Sequence, residues 1–332
     1  MMITPDHTKS IPTLDRASSL VAEKAKVGDS PQDAEHARTE MTITLMGAGG
    51  KMGLRLTDNL RKSNYQVRHV EISETGRAAL ARRGIDAVPV GEALEGADVV
   101  ILAIPDNRIG QVSREIEPRL GRGTMLMVLD AAAPYAGVLP DRDDLACFVT
   151  HPCHPPVIHD ESEPEAQLDF FGGVHAKQHI VCALMQGPEE AYALGEDIAR
   201  TIYAPVMRAH RCTVEQLAIL EPVLSETVGA TCMAVIGEAT DEAVRRGVPR
   251  QAAMDFILGH LKVEIGIVFK LFEGACFSDG AIKAIEDAKK KILRPDWKKV
   301  FEPEAMMESV RRIAGPQVAA VAAADRNGDR EG

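Results

Sequence analysis

The sequence predicts an α/β protein: an N-terminal doubly wound parallel sheet followed by an all-α C-terminal domain. Three observations carry that prediction. From Met41 onward, short and continuously apolar runs alternate with amphipathic stretches, the pattern of parallel strands covered on both faces by helices. After Pro205 to His210 the alternation stops and helical periodicity takes over. The chain has 332 residues and is 45% apolar, enough for two cores.

Taken in order, residues 1–40 are rich in charge, Ser, Thr, Pro and Asp, and read as a disordered extension with at most a short helix from Leu20 to Lys26. Met41 runs straight into a strand and is expected to be the natural start. A glycine turn follows, then a helix with Leu54, Leu56 and Leu60 on one face, then a strand from Gln66 to Glu71, which together make a βαβ unit. Further strands are expected at Ala97 to Ile104, Thr124 to Asp130, Ala146 to His151 and His179 to Met185, closing a first domain over residues 41–210. Residues 211–332 form the second. A long helix opens around Thr213, Gln216, Ala218 and Leu220, reaches Arg246, and stops at Gly247 with Pro249 just beyond. Ser278 and Asp279 cap a helix from Gly280 to Ile292, and the residues after Gly315 read as a small-residue helix fraying into a charged tail. Apolar residues such as Phe256, Leu258, Val268, Phe269 and Leu271 exceed what one small bundle buries, so a homodimer built through this domain is expected.

Composition excludes several classes. A formal net charge of -11 leaves no basic footprint for nucleic acid. No run is read as approaching the roughly 20 apolar residues of a membrane span, and the first ten residues lack a secretory pattern. Six cysteines without CxxC or framework spacing fit reduced thiols and a cytoplasmic protein.

Gly47, Ala48, Gly49, Gly50, Lys51, Met52 and Gly53 lie between a predicted strand and a predicted helix, the context in which a glycine pattern marks a Rossmann dinucleotide site. Gly47 turns the chain, Gly49 admits the pyrophosphate, and Gly50 or Gly53 permits close helix–strand packing. Glu71 ends the second strand, 24 positions beyond Gly47, where a carboxylate binds an adenosine ribose and repels a 2′-phosphate. NAD is therefore expected over NADP, with Arg68 and Arg77 as the residues that would serve a 2′-phosphate instead. Pro105 and Asp106 follow another strand at the carboxyl edge, where the cofactor passes.

A second constellation, Thr150-His151-Pro152-Cys153-His154-Pro155-Pro156, should face the nicotinamide end. Two imidazoles and a thiol on a stiff loop suit proton transfer or coordination of a borderline metal. His159 and the acids after it read as a solvated loop. On the long helix, Glu221 and Glu226 sit among Leu220, Val223, Leu224 and Val228, an unusual setting for carboxylates. Glu221 shares a face with Ser225, whereas α-helical geometry rotates Glu226 by about 140° from Glu221. Lys177, Lys270 and Lys283 are further candidates for anchoring a substrate.

The architecture resembles the 6-phosphogluconate and β-hydroxyacid dehydrogenase superfamily. The lysine and asparagine which that superfamily carries at the start of its connecting helix align near Glu221 to Glu226, where neither occurs. The phrases GAGGKMG, DVVILAIPD, VLDAAAPYAG, FVTHPCHPP, ALMQGPEEAYALGE, LEPVLSETV and AVRRGVP are more closely similar to D-apionate oxidoisomerases. That resemblance implies NAD-dependent oxidation of D-apionate with carboxyl migration to 3-oxo-isoapionate, in catabolism of the branched sugar apiose. It further implies His151 and Glu221 as ligands of Mg²⁺ or Zn²⁺, or as base and orienter, with Glu226 assisting proton transfer. The rival readings are an NAD-dependent dehydrogenase of another small hydroxy acid, a prephenate-dehydrogenase-like use of the His-Pro loop, and a non-catalytic NAD sensor.

Overall fold

The computed structural model describes residues 41–314. The extension over 1–40, including the helix expected at Leu20 to Lys26, and the tail after Gly315 lie outside the described residues.

The chain divides into two units, one reaching Ala218 and rejoined from Met307, the other spanning Ile219 to Met306. The first is built on a seven-stranded sheet of order β2-β1-β3-β4-β5-β6-β7. Its strands are β1 (Thr42–Met46), β2 (Gln66–Val70), β3 (Val99–Leu102), β4 (Met125–Val128), β5 (Ala146–Pro152), β6 (Gln178–Gln186) and β7 (Val206–Arg211). Every pair is parallel except β5 with β6. The inverted β6 and the edge strand β7 are the two features that continuous apolarity did not distinguish, because composition reports burial and not strand direction. From β1 the chain places β2 on one side and β3 on the other, so ligands are expected outside the carboxyl ends of β1 and β3.

Helices α1 (Lys51–Leu60), α2 (Glu74–Ala81), α3 (Val90–Leu94), α4 (Asp106–Ile116), α5 (Ala132–Tyr135), α6 (Pro164–Gln167), α7 (Ala191–Ile202) and α8 (Val214–Ala218) accompany the sheet. Ile43, Leu45, Ile101, Met127 and Phe148 from the strands pack with Leu56 and Leu60 of α1, Leu80 of α2 and Leu194, Ile198 and Ile202 of α7. Leu56 is wholly buried, a state that stabilises the fold by about 1.5–3 kcal/mol for such a side chain. A Cβ on Gly195 would strike the Phe148 ring, so α7 closes on β5 only because that position is glycine.

The second unit holds a π-helix (Ile219–Ala230) continuous with α9 (Thr231–Arg245), then α10 (Arg250–Val268) and α11 (Asp279–Ile292). α9 ends as its sequence signals, Gly247 taking a φ of 100° before Pro249. The Ser278 side chain caps α11 by accepting from the Ala281 N–H at 3.3 Å. Finally α12 (Pro303–Ala314) carries the chain back to the first unit.

One expectation is corrected here. The helix from Val214 to Arg245 contains an 18-residue window of mean hydropathy 1.4, long and apolar enough by length and composition to cross a membrane. The apolar residues are interrupted by Glu221-Pro222 and Ser225-Glu226-Thr227, so no uninterrupted run shows in the sequence.

Candidate active site

The glycine turn fixes one end of the site. Gly47 has φ 78°, and its N–H and that of Ala48 both donate to the Val70 carbonyl at 2.9 and 3.1 Å, locking the turn to the end of β2. A Cβ on Gly49 would lie 2.5 Å from the backbone of Gly76 at the start of α2. The third glycine is Gly53: a Cβ there would overlap the Gly47 carbonyl and sit 2.8 Å from Ala48, whereas at Gly50 the nearest atom is 3.4 Å away. Gly53 is thus the helix–strand packing position, and the extra residue in the GxGxxxG spacing is absorbed by Gly50, which stands as the N-cap of α1. Lys51 is exposed at the first turn, and Met52 packs against the core below.

Glu71 points into this turn. Its Oε2 accepts from the Gly49 N–H at 2.9 Å and its Oε1 from the Ser73 N–H and hydroxyl at 2.8 and 2.9 Å. The carboxylate therefore stands at the mouth of the crevice, held by donors on both sides. Arg68 is engaged elsewhere in this structure, donating to the Ala93 carbonyl at 3.2 Å and to the Glu95 carbonyl at the end of α3. Arg77 is exposed on α2. Pro105 is the N-cap of α4 and Asp106 opens it, at the carboxyl end of β3.

Strand register builds the second part. β4 and β5 pair in parallel with Val128 opposite Val149, so two residues further along Asp130 stands beside His151. Their ligand atoms lie within 4.8 Å of each other, and His151 Nδ1 is 3.7 Å from Asp130 Oδ2. His151 Nδ1 also meets the Leu129 carbonyl at 2.8 Å, an acceptor only, so this nitrogen carries the proton and Nε2 keeps its lone pair. The Ala132 N–H fixes Asp130 Oδ1 at 2.7 Å. Asp130 was not singled out from sequence; the signal was an acid closing a strand at the same edge as the glycine turn.

His154 repeats the arrangement. It takes φ 60°, rare for a residue with a Cβ, and its Nδ1 meets the Phe171 carbonyl at 2.9 Å. Its ring stands edge-on to His151 with centroids 6.1 Å apart. Burial pushes its imidazole down in pKa, against the upward pull of the bond to Phe171. Phe171 belongs to a loop anchored by Asp169, whose carboxylate pairs with Arg55 of α1 at 3.2 Å and accepts the N–H groups of Val174, His175 and Ala176. Burial pushes the Asp169 carboxyl up, but those donors together hold it below the usual carboxylate range. Sequence reasoning missed both Arg55 and Asp169.

Other candidates lie apart from this chemistry. Cys153 is exposed, with its thiol pushed up by burial of the sulfur. His159 bonds the Glu161 N–H, and Glu161 in turn accepts from the Lys177 N–H, as expected of a surface loop. Lys270 donates to the Ala275 carbonyl at 2.8 Å, closing the turn after α10. A cavity of about 560 Å³ lined by Asn59, Lys62, Val174 and Arg200 opens where α1 and α7 end, at the amino edge and away from the glycine turn.

In the second unit, Glu221 is half-buried and Glu226 exposed, both within the π-helix. That winding corrects the rotation expected from α-helical geometry. The wider winding turns the chain by less per residue than an α-helix, so Glu226 stands nearer the face of Glu221 than the about 140° of α-helical geometry, while Ser225 stays nearer still.

Comparison with known proteins follows the same division. Residues 38–155 match the family model for the acetohydroxy acid isomeroreductase NADPH-binding domain, and residues 159–314 match that for the phosphogluconate dehydrogenase (decarboxylating) C-terminal domain. The chain is similar to the D-apionate oxidoisomerase of Rhizobium rhizogenes (strain K84), 57% identical over 272 residues, covering 82% of this chain and 98% of that protein. The D-apionate oxidoisomerase of Cupriavidus necator is 56% identical with the same coverage. A crystal structure of a semialdehyde dehydrogenase NAD-binding protein from Cupriavidus necator, in complex with calcium and NAD, is 55% identical with a TM-score of 0.81, covering 82% of this chain and 99% of that one. With the glycine turn, the acid at the end of β2 and the Asp130–His151 pair on one sheet edge, and relatives this close over nearly their full length, the chain belongs to the D-apionate oxidoisomerase family.

Proposed function

We propose that this chain is an NAD-dependent oxidoisomerase that converts D-apionate to 3-oxo-isoapionate. The observation that carries the reading is the shared sheet edge, where the dinucleotide turn with Glu71 lies on one side and the Asp130–His151 pair on the other. The relatives at 56–57% identity bear the same activity in their names.

NAD, when bound, supplies the hydride acceptor, and its pyrophosphate would lie on the N-terminus of α1 over Gly49, Gly50, Lys51 and Met52. A divalent cation supplies Lewis-acid polarisation of a carbonyl oxygen. Asp130 and His151 would hold it. The donor set fits in kind, an imidazole whose Nδ1 meets the Leu129 carbonyl beside a carboxylate with one oxygen oriented by Ala132. Mixed imidazole and carboxylate ligands suit Zn²⁺ or Mg²⁺, and the 55% identical Cupriavidus structure is a complex with calcium. Glu226 relays the proton released when the substrate hydroxyl is oxidised.

The same reading pairs the second unit with a second copy of the chain. Seventeen large apolar side chains of Ile219 to Met306 are more than about a third exposed. These side chains are the surface a second copy would cover. Six free thiols support a cytoplasmic protein, and a net charge of -11 argues against nucleic-acid partners.

The test is incubation of purified protein with NAD and D-apionate, with and without chelator, followed by NMR of the product. NADH together with a rearranged carbon skeleton is expected, and chelator should suppress the rearrangement. A keto acid with an unchanged skeleton, or no NADH, refutes the assignment.

A further inference from the structure

The loop between β5 and β6 leaves the carboxyl end of β5, the same sheet edge as the glycine turn. Little apolar burial holds it: Phe170 and Phe171 are 75% and 63% exposed, and Leu168 is 70% exposed. A polar clamp does so instead. Arg55, in the second turn of α1, pairs with Asp169 at 3.2 Å, donates to the Gly172 carbonyl, and lays its guanidinium 5.4 Å from the centre of the Phe171 ring. Phe171 passes the constraint on. Its carbonyl accepts from His154 Nδ1 at 2.9 Å, and its ring stands edge-on to the imidazole with centroids 5.9 Å apart. His154 keeps φ 60°, a conformation that a residue with a Cβ holds only where its surroundings fix it.

The clamp decides which nitrogen His154 offers. A carbonyl accepts only, so Nδ1 carries the proton and Nε2 keeps its lone pair. The ring lies beside that of His151, with centroids 6.1 Å apart, yet outside the group of converging ligand atoms that includes Asp130 and His151. We propose that His154 is a substrate-contacting residue, whose Nε2 accepts a hydroxyl hydrogen of the sugar acid, and that Arg55 is the positioning residue that holds it there through Phe171. The helix that receives the NAD pyrophosphate thereby also sets an acceptor for the substrate. The inference rests on the proposed reaction and deepens it, since such an acceptor selects a hydroxylated acid over one that lacks the hydroxyl.

A double-mutant cycle tests it, read by steady-state kinetics on D-apionate and by calorimetric titration of NAD. His154→Asn tolerates the positive φ and keeps a donor for the Phe171 carbonyl, but has no atom at the Nε2 position. It should raise the KM for D-apionate about tenfold, the loss of one hydrogen bond to substrate, with kcat and NAD affinity within about threefold of the parent. His154→Gln, whose amide reaches the Nε2 position, should recover most of that loss. Arg55→Met should raise KM by a similar factor and Arg55→Lys by less, while Arg55→Met in the His154→Asn protein should add less than about threefold. Additive losses, or an unchanged KM in His154→Asn, overturn the inference and leave the proposed reaction intact. So does a fall in NAD affinity that parallels the rise in KM, which marks a structural role for the clamp. A parent that gives no NADH with D-apionate fails the proposed reaction first, and the inference falls with it.

Discussion

Replacing Glu71 with glutamine separates the two things its carboxylate does. One oxygen accepts from the Gly49 N–H at 2.9 Å and the other from the Ser73 N–H and hydroxyl at 2.8 and 2.9 Å, so both are committed and the group is aimed at the turn before α1. An amide keeps the shape but turns one acceptor into a donor, which then faces an N–H or hydroxyl donor. A hydrogen bond to a charged group is worth about 1.5–3 kcal/mol, so the NAD dissociation constant should rise roughly 10- to 150-fold. NADP should behave differently. Its 2′-phosphate would meet the carboxylate at close range, where each pair of charges repels by about 1 kcal/mol in bulk water and about 4 kcal/mol at an effective dielectric of 20. Glutamine removes that repulsion, so NADP affinity should hold or improve, and the NAD-to-NADP preference should fall by at least about tenfold. Calorimetric titration of both cofactors against parent and Glu71→Gln reads the two constants directly. An equal shift for both cofactors, or an NAD constant within about threefold of the parent, refutes the assignment of Glu71 as the residue that selects the ribose.

Gly53→Ala should destabilise the fold by about 1–3 kcal/mol through overpacking, since its Cβ would sit 2.8 Å from Ala48; thermal melts of the first unit's near-UV signal check it, and an unchanged midpoint contradicts the packing role. Asp169→Asn should cost about 1–3 kcal/mol at neutral pH, as a buried acceptor loses its charge and Arg55 its partner. Because the folded Asp169 pKa is depressed, its contribution is present above the unfolded value near 3.9 and lost as pH falls through the folded one, so denaturant titrations should find the parent's advantage over Asp169→Asn at pH 7 shrinking below about pH 4. His151→Ala should reduce turnover by about 10²–10⁴ with NAD affinity retained, and loss of both together would show a structural role only. Phe256→Asp together with Leu258→Asp should convert the sedimentation behaviour of a dimer to that of a monomer or an aggregate; a parent protein that sediments as a stable monomer removes the proposed pairing.

What the sequence made legible follows from how local each cause is. The glycine turn and Glu71 were readable because their roles are set within one βαβ unit, by a backbone that turns and a strand that ends. Asp130 was not, since its place beside His151 depends on the register of β4 against β5, about twenty residues apart in the chain. Arg55 and Asp169 are 114 residues apart and meet only after folding. The winding around Glu221 and Glu226 was not legible for a different reason. Helical periodicity assumes a single winding, and here a proline and a threonine hydroxyl change it.

The same helix decides between two uses of apolar surface. From Val214 to Arg245 it passes for a membrane span by length and hydropathy, with only 11% of the window buried within a single chain. A spanning helix must bury or neutralise every ionisable group in hydrocarbon, at a cost of at least about 2.5 kcal/mol for each carboxylate near the centre. This helix instead carries Glu221 and Glu226 in its middle, and its first turn, with Leu217 and Ala218 buried, is packed into the sheet-bearing unit through α8. Carboxylates at these positions argue for a protein cover over a lipid one, and the proposed pairing with a second copy would supply it without any new sequence.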